Sequence, residues 1–237
     1  MRAVLLAAGL GSRLRPVTDK IPKCLVPVHG RPLLDYWLEL LFPATERVLI
    51  NTHHFAEAVE AHVMASAWRA RIDLVFEPEL LGTGGTLAAN RAWIGEGPTL
   101  VAHADNLTDL DLAKFAQAHA ARAAGCEMTM LTFVTDDPRS CGILELDDRK
   151  VVQAFHEKVA DPPGDVANAA VYLVESPVID AAMARGTRFV DLSTEVIPQF
   201  LGRIQAAAHD GYHRDIGTVA SLARAQAEFR PPQRPPG

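Results

Sequence analysis

Short apolar runs alternate with amphipathic stretches through the first half of the chain. Ala3 to Ala8 is continuously apolar, the pattern of a strand buried on both faces. Arg47 to Thr52 and Ile72 to Glu77 repeat it, and Thr99 to His103 is a fourth such run, ending at Ala104-Asp105. Between these runs, apolar residues recur at helical spacing. Pro32 to Leu41 reads as a helix with Pro32 near its first turn, where the missing N–H costs nothing. Phe55 to Trp68, Thr83 to Trp93 after a glycine-rich turn, and the alanine-rich Leu112 to Ala124 are further helices. The alternation predicts an α/β fold, an open and mostly parallel sheet with helices on both faces. Ligands of such sheets bind beyond the carboxyl ends of the strands. The segment after the first strand and Asp105 after the fourth both fall at that edge.

The rhythm changes in the second half. Glu127 to Val134, Gly142 to Leu146, Val151 to Glu157 and Ala169 to Val174 alternate like strands and predict a mixed extension of the sheet that walls a pocket. Ser176 to Ala184 and Val219 to Glu228 read as helices. Arg230 to Gly237 is rich in proline and lacks apolar anchors, which predicts an extended, mobile end. With no internal repeat and no linker, residues 1-229 read as one domain and 230-237 as a disordered tail.

Composition narrows the class. The chain has 237 residues, 49% of them hydrophobic, enough to bury a full core. A net charge of −6 argues against general affinity for nucleic acid or membrane surfaces, so any anion site must be local. Cys24, Cys126 and Cys141 are odd in number and lack C-x-x-C spacing, which suggests neither a disulfide framework nor a zinc site. A reducing cytoplasm is the expected setting. The first apolar run meets Gly9, Gly11, Arg13 and Arg15 instead of a cleavage region, unlike a signal peptide. No stretch approaches the roughly 20 apolar residues of a membrane span.

The local anion site is the loop after the first strand. Gly9 and Gly11 let the backbone turn tightly and bring its N–H groups close to a ligand. A row of such amides can hold phosphate oxygens. Between Arg13 and Arg31 stand five Lys or Arg against one Asp, a net of +4 on an acidic chain. The prolines at 16, 22 and 27 stiffen the loop. A dinucleotide fingerprint would need glycine where Leu14 stands, and a P-loop would need G-K-[ST]; neither is present. The histidines His53, His54, His103, His156 and His213 form no metal spacing and read as structural or solvent-facing, and no Gly-x-Ser-x-Gly elbow occurs. Asp109 and Asp111 read as turn and helix-cap residues.

The string Gly9-x-Gly11-x-Arg13-Leu14-x-Pro16-x-Thr18-x-x-x-Pro22-Lys23-x-x-x-Pro27 resembles the signature of the NDP-sugar pyrophosphorylases, the sugar-1-phosphate nucleotidyltransferases. Further likenesses follow in order to about Phe229. Leu81-Gly82-Thr83-Gly84-Gly85 resembles the family's base-contacting turn, and Asp105 its metal aspartate. Gly142, Glu157-Lys158 and Asn168 resemble its sugar-pocket positions, and Asp215-Ile216-Gly217-Thr218 its closing metal motif. Two positions depart: Ala104 and Ala170 stand where the family commonly has glycine.

The resemblance implies a Rossmann-like three-layer α/β/α nucleotidyltransferase fold with a small mixed-strand sugar-binding extension. It implies an Mg²⁺-dependent enzyme that joins an NTP to a sugar 1-phosphate and releases pyrophosphate, with a homodimer common among relatives. Nucleotide contacts would come from Leu6, Ala8, Gly9, Gly11, Ser12, Arg13, Lys23, Gly82, Thr83 and Asp105. The sugar would meet Gly142, Glu157, Lys158 and Asn168, and the metal Asp105 and Asp215. Arg13, Lys23 and Lys158 would be catalytic, neutralising phosphate charge. The 81–85 turn most resembles guanylyltransferases of mannose or manno-heptose 1-phosphate, which serve cell-surface polysaccharide synthesis. UTP with N-acetylmuramic acid 1-phosphate, CTP with choline phosphate or a sugar acid, and a non-catalytic nucleotide-sugar sensor are the alternatives.

Overall fold

The computed structural model describes residues 1–231, so the tail expected at 230-237 lies outside the described residues from 232 onward. In chain order, β1 (Arg2–Leu6) is followed by three 3₁₀ turns and a hairpin of β2 (Pro27–Val28) and β3 (Arg31–Pro32). Next come α1 (Leu33–Leu41), β4 (Arg47–Thr52), α2 (Ala56–Ala65), β5 (Ile72–Phe76), α3 (Gly82–Ala89) and the one-turn α4 (Arg91–Ile94). Then follow β6 (Thr99–His103), β7 (Asn106–Thr108), α5 (Leu112–Ala120), β8 (Met128–Val134), β9 (Gly142–Leu146), β10 (Val152–Glu157) and β11 (Val166–Val174). The chain closes with α6 (Ser176–Ala184), β12 (Ile204–Ala208), β13 (His213–Asp215) and α7 (Val219–Glu228).

Nine strands among the described residues form one sheet. Its parallel half is β6-β1-β4-β5, with β1 flanked by β4 and β6. Ala3, Val4 and Leu5 are all fully buried, because successive side chains of β1 enter different cores. Ala3 and Leu5 pack with Trp37 of α1, Val59 of α2 and Phe115 of α5. Val4 packs with Leu87 of α3, Ile94 of α4 and Ile179 of α6. Helices therefore cover both faces, as the alternation requires.

The other half is mixed. β11 runs antiparallel to β6 and β8, β12 joins β8 in parallel, and the β9–β10 hairpin meets β11 at Ala167 and Ile143. A third apolar cluster joins Leu14 and Val26 of the first loop to Ile216, Ala225 and Phe229, so the carboxyl-terminal helix braces the glycine-rich loop. Phe229 meets the Tyr36 ring edge-on at 5.4 Å.

Several expected elements are altered. The helix expected over 83–93 breaks at Asn90, whose side-chain amide donates to the Thr86 carbonyl at 2.8 Å and competes with continued winding. The helix expected to reach Trp68 stops at Ala65, and Trp68 instead stacks on Phe42 at 4.6 Å. The helix expected to reach Ala124 stops at Ala120. β11 starts three residues before the expected Ala169 and carries a bulge between Asn168 and Tyr172.

His119 ties α5 to the extension. Its Nδ1 lies 2.8 Å from Thr129 Oγ1 and its Nε2 3.2 Å from Glu175 Oε1, a carboxylate also held by Arg122. Burial, helped by the Arg122 charge, pushes the imidazole below its ordinary value. The unfolded chain then takes up a proton near pH 6.5 that the folded state refuses, so stability falls as pH drops below about 6.5. His119→Gln should flatten that slope in urea denaturation between about pH 5 and 7; an unaltered slope would exclude this histidine as a source.

Candidate active site

The first loop is locked on itself. Gly11 is left-handed (φ 64°), and Thr18 Oγ1 donates to its carbonyl at 2.7 Å. A β-carbon at position 11 would lie 2.8 Å from the Thr18 methyl, so glycine is required for this closure. The last 3₁₀ turn starts at Lys23, directly after Pro22, and points a buried ammonium inward. Lys23 Nζ donates to Asp105 Oδ2, and to Asp215 Oδ1 at 3.2 Å. Arg13 Nη2 stands 3.9 Å from Asp215 Oδ2.

The two aspartates meet through a small antiparallel ladder. Asp105 leaves the end of β6; β7 follows immediately and pairs with β13, with Asp215 opposite Asn106. The Ile216 N–H donates to the Asp105 carbonyl at 3.0 Å. A β-carbon on Gly217 would fall 2.6 Å from the Asp215 carboxylate, so that glycine leaves room for it. Burial disfavours the charge on Asp105, but Lys23 and His103 outweigh it and hold the carboxyl below the usual carboxylate range. Burial likewise opposes the charge on Lys23, and the two aspartates outweigh it and raise its value.

Because one ammonium reaches both carboxylates, their oxygens converge on a point one cation can occupy. No cluster of three or more His, Cys, Asp or Glu is arranged for a metal among the described residues. Two carboxylates completed by substrate phosphate and water are nevertheless a donor set that suits Mg²⁺.

Two clefts meet at this junction and share His103 and Asp105. The smaller, about 210 Å³, opens at the carboxyl ends of the parallel strands. Leu6, Ala8, Gly9, Lys23, Gly82, Thr83 and Asp105 line it. Gly11 and Ser12 are in the lining of neither cleft, and Arg13 lines the larger one. The floor holds a buried network that periodicity did not reveal. Asn51 Nδ2 donates to Glu77 Oε1 at 2.9 Å and to Thr86 Oγ1 at 3.0 Å, and the Thr86 hydroxyl donates to Glu77 Oε1 at 2.6 Å. Leu81 N–H donates to Glu77 Oε2 at 3.1 Å, and Ala7 N–H to Asn51 Oδ1 at 2.7 Å. Asn51 and Glu77 lie at the ends of β4 and β5, the same edge that singled out Asp105, so the strand-end rule could have found them. Cys24 also lines this cleft, but burial pushes its thiol up to about 12 and leaves it inert.

The larger cleft, about 520 Å³, brings Gly142, Glu157, Lys158 and Asn168 together with Arg13 and Asp215. A β-carbon on Gly142 would strike the Phe155 ring at 2.5 Å and Glu157 Oε2 at 2.7 Å. Lys158 is left-handed (φ 50°), with Nζ 2.9 Å from Glu157 Oε1. Asn168 Nδ2 donates to the Tyr172 hydroxyl at 2.7 Å, and its Oδ1 accepts from Ala170 N–H at 2.9 Å. Ala170 is left-handed too (φ 52°), a conformation glycine adopts without strain, and it lines this cleft. Ala104 differs: it is fully buried in the core and lines neither cleft. Of the histidines read as structural, His103 and His213 stand at the clefts. Burial, with His209 nearby, depresses His213 to about 3, so its ring is neutral. Its enclosed Nδ1 has no hydrogen-bond partner among the described residues. Asp111 caps α5, accepting from Ala113 and Lys114 N–H at 3.1 Å, and Asp109 accepts from Tyr212 N–H at 2.7 Å in a turn.

Comparison with known proteins adds the following. A sequence model of the family described as nucleotidyl transferase matches residues 2–230. The chain is 34% identical over 233 residues to mannose-1-phosphate guanylyltransferase of Mycobacterium tuberculosis, covering 96% of this chain and 64% of that protein. It is 43% identical over 110 residues to N-acetylmuramate alpha-1-phosphate uridylyltransferase of Caulobacter vibrioides, covering 44% of this chain and 46% of that one. The chain thus spans under two thirds of the length of these curated relatives. A solved structure from Bacillus anthracis, described as a candidate glucose-1-phosphate thymidylyltransferase in complex with sucrose, superposes with a TM-score of 0.86 at 21% identity. It covers 100% of this chain and 98% of its own, which shows that the two share a fold.

Proposed function

The chain belongs to the nucleotidyl transferase family, and from that premise we propose that it transfers a nucleoside monophosphate from an NTP to a sugar 1-phosphate and releases pyrophosphate. The observation that carries this reading is Lys23, bridging Asp105 and Asp215 where the two clefts join. The smaller cleft takes the nucleotide and the larger one the sugar phosphate, so the reacting groups meet over one ammonium and two carboxylates. Residues 1-229 act as one unit in this reading, in the cytoplasm.

A phosphate monoester is already largely dianionic at pH 7, its second pKa being about 6. Its oxygen attacks the α-phosphorus in line without a general base, and catalysis is positioning and charge neutralisation. Lys23 holds the α-phosphate, and Lys158 holds the sugar phosphate. Arg13 is 64% exposed and only loosely paired with Asp215, so its guanidinium can turn to the leaving phosphates. Glu157 and Asn168 receive sugar hydroxyls. Mg²⁺ held by Asp105 and Asp215 would lower the repulsion between two polyanions.

GTP with mannose or manno-heptose 1-phosphate is the favoured pair. The mannose-1-phosphate guanylyltransferase relative, matched over 96% of this chain, supports it. Uridylyl transfer to N-acetylmuramic acid 1-phosphate is the second reading, favoured by the higher identity of the shorter match.

A pyrophosphate-release assay over GTP, UTP, CTP and dTTP, each with mannose, manno-heptose and N-acetylmuramic acid 1-phosphates, tests the proposal. The greatest release is expected with GTP and a manno-configured sugar. Preference for UTP with N-acetylmuramic acid 1-phosphate would establish the second reading. Binding of nucleotide sugars with no release from any pair would identify a non-catalytic sensor.

A further inference from the structure

A half-exposed aromatic ring stands at the rim of the smaller cleft. Phe189 is 55% exposed, yet it lines the cleft together with Leu80. The backbone beneath it is fastened down. The Val190 carbonyl accepts from the N–H groups of Gly84 at 2.9 Å and Gly85 at 3.0 Å, and Val190 N–H donates to the Leu81 carbonyl at 2.9 Å. Leu192 N–H donates to Thr83 Oγ1 at 2.8 Å, and Arg188 pairs with Glu79 at 2.7 Å. The Val190 side chain is fully buried.

The glycines of the 81–85 turn are shaped by this strap. A β-carbon on Gly82 would lie 2.5 Å from the Val190 carbonyl oxygen, on Gly84 2.9 Å from Val190 Cγ1, and on Gly85 2.9 Å from the Arg188 carbonyl oxygen. They allow residues 188–190 to lie flat on the turn. Phe189 Cε2 comes within 3.2 Å of the β-carbon position of Gly82, so the ring sits over the glycine that begins α3. A phenyl ring held on an immobilised strap at the edge of a cleft offers a flat apolar face to whatever enters. A nucleobase presents the matching π face, and stacking of this kind tolerates any base while favouring the larger ones.

We infer that Phe189 stacks on the nucleobase of the bound NTP, and that the strap Arg188–Val190 forms a wall of the base site, joined through the 81–85 turn to the buried Asn51–Glu77–Thr86 floor. The inference rests on the reading that the nucleotide occupies this cleft. It makes Phe189 a determinant of nucleotide affinity, stronger for purines than for pyrimidines, and leaves the sugar side untouched.

The test is calorimetric titration of GTP into the wild-type protein, Phe189→Ala, Phe189→Leu and Phe189→Trp, with steady-state kinetics alongside. Phe189→Ala and Phe189→Leu should each raise the Kd for GTP about tenfold, and Phe189→Trp should restore it. The KM for the sugar 1-phosphate should stay constant in all of them. Leucine replaces the apolar bulk without the ring, so recovery of affinity in Phe189→Leu would show a packing role and overturn the stacking. A Phe189→Ala affinity within about twofold of wild type would overturn it as well. Wild-type protein that binds none of the NTPs in the assay panel would sink the nucleotide reading itself, and the inference with it.

Discussion

Lys23→Ala lowers kcat/KM by about 10²-fold or more, the scale of losing one charge-stabilising group at a reacting phosphate. Lys23 is the buried cation at the point where the clefts join, and its ammonium contacts both Asp105 and Asp215. Alanine there leaves two carboxylates facing the incoming phosphates without the ammonium that contacts both. Asp105 also loses the principal charge that holds its carboxyl low against burial. Arginine is not expected to rescue the variant, since its planar fork cannot occupy the space of a compact ammonium. Urea denaturation must accompany the kinetics, because unpairing a partly buried carboxylate also destabilises the fold. Asp215 is 52% exposed, so solvent screens its share of that loss. Turnover close to wild type would remove Lys23 from the mechanism.

Asp105→Asn is expected to cost activity on a similar scale, about 10²-fold, and to shift the Mg²⁺ titration to higher concentration. The change is isosteric. The backbone contact that matters for folding, Ile216 N–H to the Asp105 carbonyl, is untouched. What disappears is one of two anionic oxygens converging on the cation position, and Mg²⁺ binds through few protein carboxylates, so each counts heavily. Asp105 is the more enclosed of the pair and lines both clefts, whereas Asp215 lines only the larger one. Activity and metal requirement should therefore move together. An Mg²⁺ titration identical to wild type would separate Asp105 from any metal.

The expected boundaries of β4, β6, β9, α6 and α7 coincide with the observed ones. Each is a run whose apolar pattern is dictated by the face it buries and ends where that pattern ends. β7 and β13 escaped notice, since each is three residues long and exists only through pairing with the other, about a hundred positions away. The helix break at Asn90 depends on one side chain bonding its own helix, which hydropathy does not register. Thr86 escaped for a related reason: a threonine in a helical pattern looks like an ordinary helix residue until Glu77 is seen beside it.

What the sequence determined by itself is a set of local features and the edge of the sheet at which they fall. A stiff cationic loop after the first strand, an aspartate after the fourth and an Asp-x-Gly near the end are local features, readable because each is specified within a few positions. Tertiary structure alone decided which of them touch. Lys23 and Asp215 are separated by 192 positions and meet through the pairing of β7 with β13. The strap at Phe189 reaches its glycine turn across more than a hundred residues. Side-chain periodicity reports what a segment buries, whereas juxtaposition is set by strand order and register, which belong to the whole chain.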